Sequence, residues 1–205
     1  MKVVLLNGSP HEKGTTFAAL TEVANSLNAN GIDTEIINVG NHEVSGCTVC
    51  CYCVKNNKCV KNDIVNEIIE KIQQADGVVV GSPVYFASLN GTLKCVLDRV
   101  FFAKESFANK PAAAVAVARR AGTTATYDQI NKYFGITQMP IISTRYWNMA
   151  FGRNADDVKQ DAEGMQALRI LARNMAYYLK CIEAGKEKGI TPPEQEKVTL
   201  TNFIR

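Results

Sequence analysis

Val3-Val4-Leu5-Leu6-Asn7-Gly8-Ser9-Pro10-His11-Glu12-Lys13-Gly14-Thr15-Thr16 opens the chain and decides its fold. Four consecutive apolar residues end abruptly in a Gly, Ser and Pro turn. The run is too short for the roughly 7–15-residue apolar core of a signal peptide, so it reads as a first strand, buried on both faces. After the loop, Thr15–Leu27 carries a helical pattern. Glycines allow the backbone to turn tightly. Ser9, Thr15 and Thr16 supply hydroxyls, and the amides that open a helix have no partner within it. Such a loop is built to take an anion, with His11 or Lys13 available as a cation. A Walker A loop is excluded because Lys13 precedes Gly14 instead of following it. A dinucleotide fingerprint is excluded because Gly8 and Gly14 are too far apart. Two readings stand: a monophosphate cradle rich in hydroxyls, or an ordinary strand-to-helix turn with a Thr cap.

Further along, strand-like apolar runs recur at Glu35–Val39, Gly77–Val80, Ala112–Val117 and Ile141–Thr144. Helical patterns lie between them at Ile64–Gln74, with Asp63 as N-cap, at Leu89–Phe102 and at Thr124–Phe134. The last and clearest helix, Ala155–Glu183, steps by three or four through Met165, Leu168, Leu171, Met175, Leu179 and Ile182. Gly185, Gly189 and Pro192-Pro193 end it. Alternation of strand and helix through five strands predicts a doubly wound α/β parallel sheet. Its expected order is flavodoxin-like, 2-1-3-4-5, which places ligands beyond the carboxyl ends of strands one and three. The chain is expected to form one domain over residues 1–190, with a cysteine-rich insertion at 40–63 and a C-terminal tail at 191–205.

Composition sets outer limits. The 205 residues are 46% hydrophobic and 21% charged, with a net charge of +3. That bias is too small to argue for nucleic acid or a membrane surface. The longest apolar stretch, Ala112–Ala118, is far short of the about 20 residues of a spanning helix. A cytoplasmic location is expected. Five of the seven cysteines crowd between Cys47 and Cys59, a distribution unlike a disulfide framework. Cys95 and Cys181 are expected to be small buried hydrophobes.

Beyond the third strand, Gly81-Ser82-Pro83-Val84-Tyr85-Phe86-Ala87 puts aromatic residues in a connection. A flat, partly apolar ring such as isoalloxazine gives them a purpose; packing under a neighbouring loop or in a subunit interface is the alternative. Asn7-Gly8-Ser9-Pro10 with Gly14-Thr15-Thr16, then Gly81–Phe86, then Leu93-Lys94-Cys95-Val96-Leu97-Asp98-Arg99 together resemble the NADPH-dependent FMN reductase family. The similarity continues through Asp161–Tyr178. The resemblance implies that Ser9, His11, Gly14, Thr15 and Thr16 hold the FMN phosphate. It implies that Pro83, Val84, Tyr85 and Phe86 line the flavin, and that Ala118, Arg119, Arg120 and Gly122 close the site. A cation beside the flavin favours its reduced, anionic form; two solvated arginines, or a grip on a nicotinamide phosphate, are the other readings of Arg119 and Arg120. Tyr146 and Trp147 are expected to be buried or interfacial beside the flavin, and His42 to be exposed.

The long connection Gly40–Asp63 contains C-x2-C-x2-C-x5-C, formed by Cys47, Cys50, Cys53 and Cys59. Compact triples of this kind serve iron–sulfur clusters, whereas zinc sites more often use two separated pairs. The spacing resembles the iron–sulfur flavoprotein branch, which implies a [4Fe–4S] cluster beside FMN; free or redox-active thiols and zinc remain open. The expected activity is an oxidoreductase that takes hydride from NAD(P)H and passes electrons to a small or protein acceptor. No side chain is singled out as catalytic. The alternatives are a ferredoxin-linked electron carrier and a non-enzymatic thiol or metal sensor. Aromatic surface residues make a homodimer or homotetramer the expected assembly.

Overall fold

A computed structural model describes residues 1–103 and 107–201. The last four residues of the expected tail lie outside the described residues. Five strands, β1 (Lys2–Asn7), β2 (Asp33–Asn38), β3 (Gly77–Pro83), β4 (Ala112–Ala118) and β5 (Met149–Phe151), form one parallel sheet. Their order is β2-β1-β3-β4-β5, as expected from the alternation of elements. Each inner strand divides its side chains by the period of two. Val4, Leu6, Val78, Val80, Ala112 and Ala114 enter one core; Val3, Leu5, Val79, Ala113 and Val115 enter the other. The first core is roofed by α3 (Ile64–Gln74), α4 (Gly91–Ala103) and α5 (Thr123–Ile136). The second is roofed by α1 (Thr15–Asn28), α6 (Ala155–Gln160) and α7 (Ala162–Glu187). A five-residue helix, α2 (Tyr52–Asn56), is the one helix within the long connection. Asp63 caps α3 as expected: its carboxylate accepts from the Val65 amide at 3.2 Å.

The fifth strand and the last helix differ from the expected pattern, and that helix also runs on through Gly185 to Glu187, so that Gly185 does not end it. The apolar run Ile141–Thr144 makes only a single parallel bridge, Ile141 with Ala112, and the paired fifth strand is Met149–Phe151. The chain touches the sheet edge at Ile142, whose amide donates to the Ala112 carbonyl, leaves it, and returns. The Asn148 side chain fills the gap, donating to the Ala114 carbonyl at 3.0 Å. The long terminal helix is interrupted at Asp161. One of its carboxylate oxygens accepts from the Gly164 amide at 2.9 Å, starting α7, while the other accepts from the Phe151 amide at 2.8 Å. Asp161 thus closes α6 through its backbone amide, which donates to the Val158 carbonyl, while its carboxylate caps α7 and fixes the end of β5. Among the described residues no helix is long and apolar enough to cross a membrane.

Candidate functional site

The loops leaving β1, β2, β3 and β4 all emerge at the carboxyl edge of the sheet, and backbone bonds tie them to one another. The Gly8 amide donates to the Gly81 carbonyl at 2.8 Å, and the Val84 amide to the Val117 carbonyl at 2.9 Å. The loop after β1 is ordered from within. Asn7 is fully buried; its side-chain oxygen accepts from the Ser9 amide at 3.1 Å, and its amide group donates to Asn38 at 2.9 Å. Ser9 is buried as well, and its hydroxyl accepts from the His11 amide. Gly14 starts α1 in an extended conformation with no side chain capping the helix, which leaves opening amides without an internal acceptor. Beside them, the Thr16 hydroxyl is buried with no partner among the described residues. A buried hydroxyl without a bond costs about 1–3 kcal/mol. Uncapped amides and an orphaned hydroxyl at one helix N-terminus fit a bound phosphate. Of the expected ligands, Ser9, Gly14, Thr15 and Thr16 converge here; the His11 side chain is exposed.

On the neighbouring loop, Tyr85 and Ser88 exchange both backbone bonds at 2.9 Å, making a two-residue hairpin. Its tip, Phe86 and Ala87, is left-handed, with φ of 50° and 57°. Left-handed conformations are unfavourable for residues with a Cβ and cluster at functional sites. Gln129 on α5 grips this tip, accepting from the Ser88 hydroxyl at 2.7 Å and donating to the Ala87 carbonyl. Pro83 is buried, Val84 half-buried, and Tyr85 and Phe86 are exposed, so the two rings are not packed beneath a neighbouring loop. Behind them, Gly122 (φ 92°) lies so near that an added Cβ would stand 2.9 Å from a Val84 methyl. Ala118 closes the edge of β4, and Arg119 and Arg120 extend into solvent, without an ion pair among the described residues.

The cysteine connection leaves β2 at this edge, beside Ser9, and its thiols pack against the last turns of α4. Cys47, Cys50, Cys51, Cys53 and Cys59 line one recess of about 20 Å³, walled by Lys61, Arg99 and Phe102. Three residues of this connection, Val49, Cys51 and Asn57, adopt positive φ. Cys53 is buried on α2, and burial pushes its thiol up, opposed by a backbone hydrogen bond and assisted by Cys50, Cys59 and Cys47. No group of three His, Cys, Asp or Glu side chains among the described residues is disposed to hold a single metal ion. A cubane asks for something different, one thiolate for each of four irons; the cysteines that line this recess match that donor set in type and number.

The NADPH-dependent FMN reductase family matches residues 1–154 of the chain. The chain belongs to that family. This FMN reductase family member is 34% identical over 192 residues to an iron-sulfur flavoprotein of Methanocaldococcus jannaschii, with 89% of this chain and 100% of that one covered. It is 29% identical to the iron-sulfur flavoprotein of Methanosarcina thermophila, covering 92% and 100% of the two chains. The solved structure of RosB with a bound riboflavin-phosphate-derived intermediate superposes with a TM-score of 0.73 at 16% identity, over 99% of this chain and 92% of that one. A flavodoxin from an archaeon superposes at 0.61 with 13% identity, over 88% and 99%. These two likenesses bear on fold, and family membership makes the chain an FMN-dependent oxidoreductase.

Several residues of this family member depart from expectation or escaped it. Cys181 is exposed, because it lies beyond Leu179, the last fully covered position of α7, and Cys95 is only half-buried. Tyr146 and Trp147 are 57% and 46% exposed and stack edge-on with centroids 4.6 Å apart. His42 is exposed, as expected. Asn7, Gly40, Arg99 and Gln129 organise the site without having been singled out. Only Asn7 carried a local signal, as the polar residue ending an apolar strand.

Proposed function

We propose that this FMN reductase family member takes hydride from a reduced nicotinamide nucleotide and hands electrons singly to an acceptor, with a [4Fe–4S] cluster as the exit. The observation that carries the flavin half is the orphaned Thr16 hydroxyl beside the uncapped start of α1. In this reading Ser9, Gly14, Thr15 and Thr16 hold the FMN phosphate, with His11 at its outer side. Pro83, Val84, Tyr85 and Phe86 border the ring, and Ala118, Arg119, Arg120 and Gly122 close over it. Cys47, Cys50, Cys53 and Cys59 hold the cluster. When bound, FMN converts a two-electron donor into one-electron steps, and a cluster passes electrons on. The chain contributes binding, orientation and charge; no side chain is required to move a proton.

The ferredoxin-linked reading also has an observation in its favour. Cys47, Cys50 and Cys51 are exposed, and Lys55 and Lys58 stand exposed on the same connection, a surface suited to an acidic redox protein. The two readings part on the donor. Anaerobic purification, a visible spectrum and analysis for FMN, iron and sulfide come first. The reductase reading expects stoichiometric FMN, about four irons per chain, and flavin bleaching by NADH or NADPH. Bleaching by reduced ferredoxin alone selects the carrier; absence of bound flavin after FMN addition overturns both. Exposed Tyr146, Trp147, Tyr177 and Tyr178 support a homodimer or homotetramer, and light scattering at working concentrations reads the mass directly.

A further inference from the structure

Arg99 is among the largest side chains buried in the protein, 1% exposed in the middle of α4. A guanidinium taken out of water is costly unless all its donors are met, and this one is saturated. Nη1 donates to Asp63 at 2.6 Å and to the Ser45 carbonyl at 3.2 Å. Nη2 donates to the other Asp63 oxygen at 2.8 Å and to Cys59 Sγ at 3.2 Å. Nε donates to the same sulfur at 3.3 Å. All five N–H groups are therefore used, and two of them converge on one sulfur. Asp63 is itself held by the Val65 amide, and the Cys59 backbone is held on both sides by Asn66, whose side chain accepts from the Cys59 amide at 2.8 Å and donates to its carbonyl at 3.1 Å. No other thiol of the recess receives a side-chain cation among the described residues.

An ion pair that merely closed the connection would need Asp63 alone. Here two charged N–H donors converge on a single sulfur and hold it at a fixed point of the recess. We propose that Arg99 is a positioning residue that fixes the Cys59 sulfur as one corner of the cluster site and raises the reduction potential of the cluster bound there. The second part rests on the [4Fe–4S] reading of Cys47, Cys50, Cys53 and Cys59. Reduction adds negative charge to a cluster and its ligand sulfurs, and hydrogen bonds to those sulfurs stabilise the reduced form most.

The test compares the wild-type chain with Arg99→Lys, which keeps the charge but cannot fork onto Cys59 while pairing with Asp63. In the FMN-loaded, iron-reconstituted protein, a redox titration followed by electron paramagnetic resonance and visible absorption reads the cluster and flavin couples together. Arg99→Lys is expected to retain iron, lower the cluster potential and leave the flavin potential in place. An unchanged cluster potential at full iron content overturns the tuning claim. Asp63→Asn gives the opposite sign, because it removes a negative charge and leaves the fork; its cluster potential is expected to rise, which keeps the claim falsifiable if Arg99→Lys proves insoluble. Hydrogen exchange on the iron-free protein decides the positioning claim separately. Arg99→Lys is expected to speed exchange at Cys59 and its neighbours about tenfold, the loss of roughly one charge-assisted bond. Unchanged exchange overturns that claim. A wild-type chain that takes up no iron under reconstitution would overturn the cluster reading and the tuning with it, and the exchange result would still decide whether Arg99 positions Cys59.

Discussion

Gly40 and Ser9 are in backbone contact: a Cβ added to Gly40 would meet the Ser9 carbonyl carbon and stand 2.5 Å from its oxygen. Gly40 begins the cysteine connection, and Ser9 belongs to the loop that opens α1. Their contact is reinforced by the Val39 amide, which donates to the Asn7 carbonyl at 2.8 Å, and by Asn41, which donates to Glu12 at 2.8 Å. The anion loop and the cysteine connection are therefore one mechanical unit. Gly40→Ala must push them apart. Because the obstruction is backbone, a stability loss of about 1–3 kcal/mol is expected, accompanied by weaker FMN binding. Thermal melting and fluorescence titration with FMN read the two effects. Unaltered FMN affinity would show that the loops are energetically independent.

Thr16→Val separates folding from binding. The hydroxyl is buried and unpartnered, so replacing it with a methyl group removes a polar group that nothing in the protein satisfies. The FMN-free protein should melt at the same temperature or higher. FMN affinity should fall about ten- to a hundredfold, the worth of one hydrogen bond to a charged group. Loss of stability without loss of affinity would place the hydroxyl outside the phosphate site.

The hairpin tip predicts opposite signs at two neighbouring positions. Ala87 carries a Cβ at φ 57°, so Ala87→Gly relieves a left-handed conformation and should stabilise by about 0.5–1 kcal/mol. Gly122 holds φ 92° and faces Val84 and Ala87 at 2.9–3.2 Å from its would-be Cβ. Gly122→Ala should destabilise by about 1–3 kcal/mol. Chemical denaturation of the pair checks both signs.

Glu35 on β2 accepts from Lys2 at 2.5 Å and also bonds Lys71. The Lys2 and then the Lys71 hydrogen bonds hold its carboxyl below the usual range, against a smaller effect of burial. A depressed carboxyl contributes stability that is complete above its unfolded value of about 4.3 and is lost as pH falls through the lower folded value. Glu35→Gln should therefore flatten the acid limb of the stability curve. The change should be under about 1 kcal/mol, since the pair is partly exposed and screened. Urea midpoints measured from pH 3 to 7 test this, and salt should shrink the difference.

What was legible in the chain divides along a physical line. Continuous apolar runs marked β1, β3 and β4, because strands covered on both faces tolerate nothing else, and Asp63 announced α3 through its capping chemistry. The edge strand was misplaced because Ile141–Thr144 looks like a strand, while pairing over Met149–Phe151 depends on Asn148 bridging a gap that no periodicity records. Arg99 and Gln129 act through partners 36 to 54 and 41 or 42 residues away. Nothing in the local sequence around Arg99 announces its burial or the sulfur it meets. Gly40 was invisible for a related reason: its importance lies in the backbone it approaches.

Cysteine replacements offer a sharper reading of the connection, because the extra thiol is an internal control. Cys51 is exposed at the left-handed start of α2, and its thiol donates to the Val49 carbonyl at 3.6 Å. Cys53, two residues on, is buried against α4, with its thiol 3.8 Å from the Phe102 carbonyl. Both line the recess, so proximity alone does not choose between them; the three-residue step from Cys47 through Cys50 to Cys53 does. Cys51→Ser should leave iron and sulfide content unchanged after anaerobic reconstitution, whereas Cys53→Ser should lose most of both. Serine at position 53 also buries a hydroxyl that needs a bond, at a cost of about 1–3 kcal/mol if it finds none, so its FMN content must be measured alongside. Iron lost with FMN retained assigns Cys53 to the cluster. Iron lost equally from both variants would instead make the recess a nonspecific thiol trap.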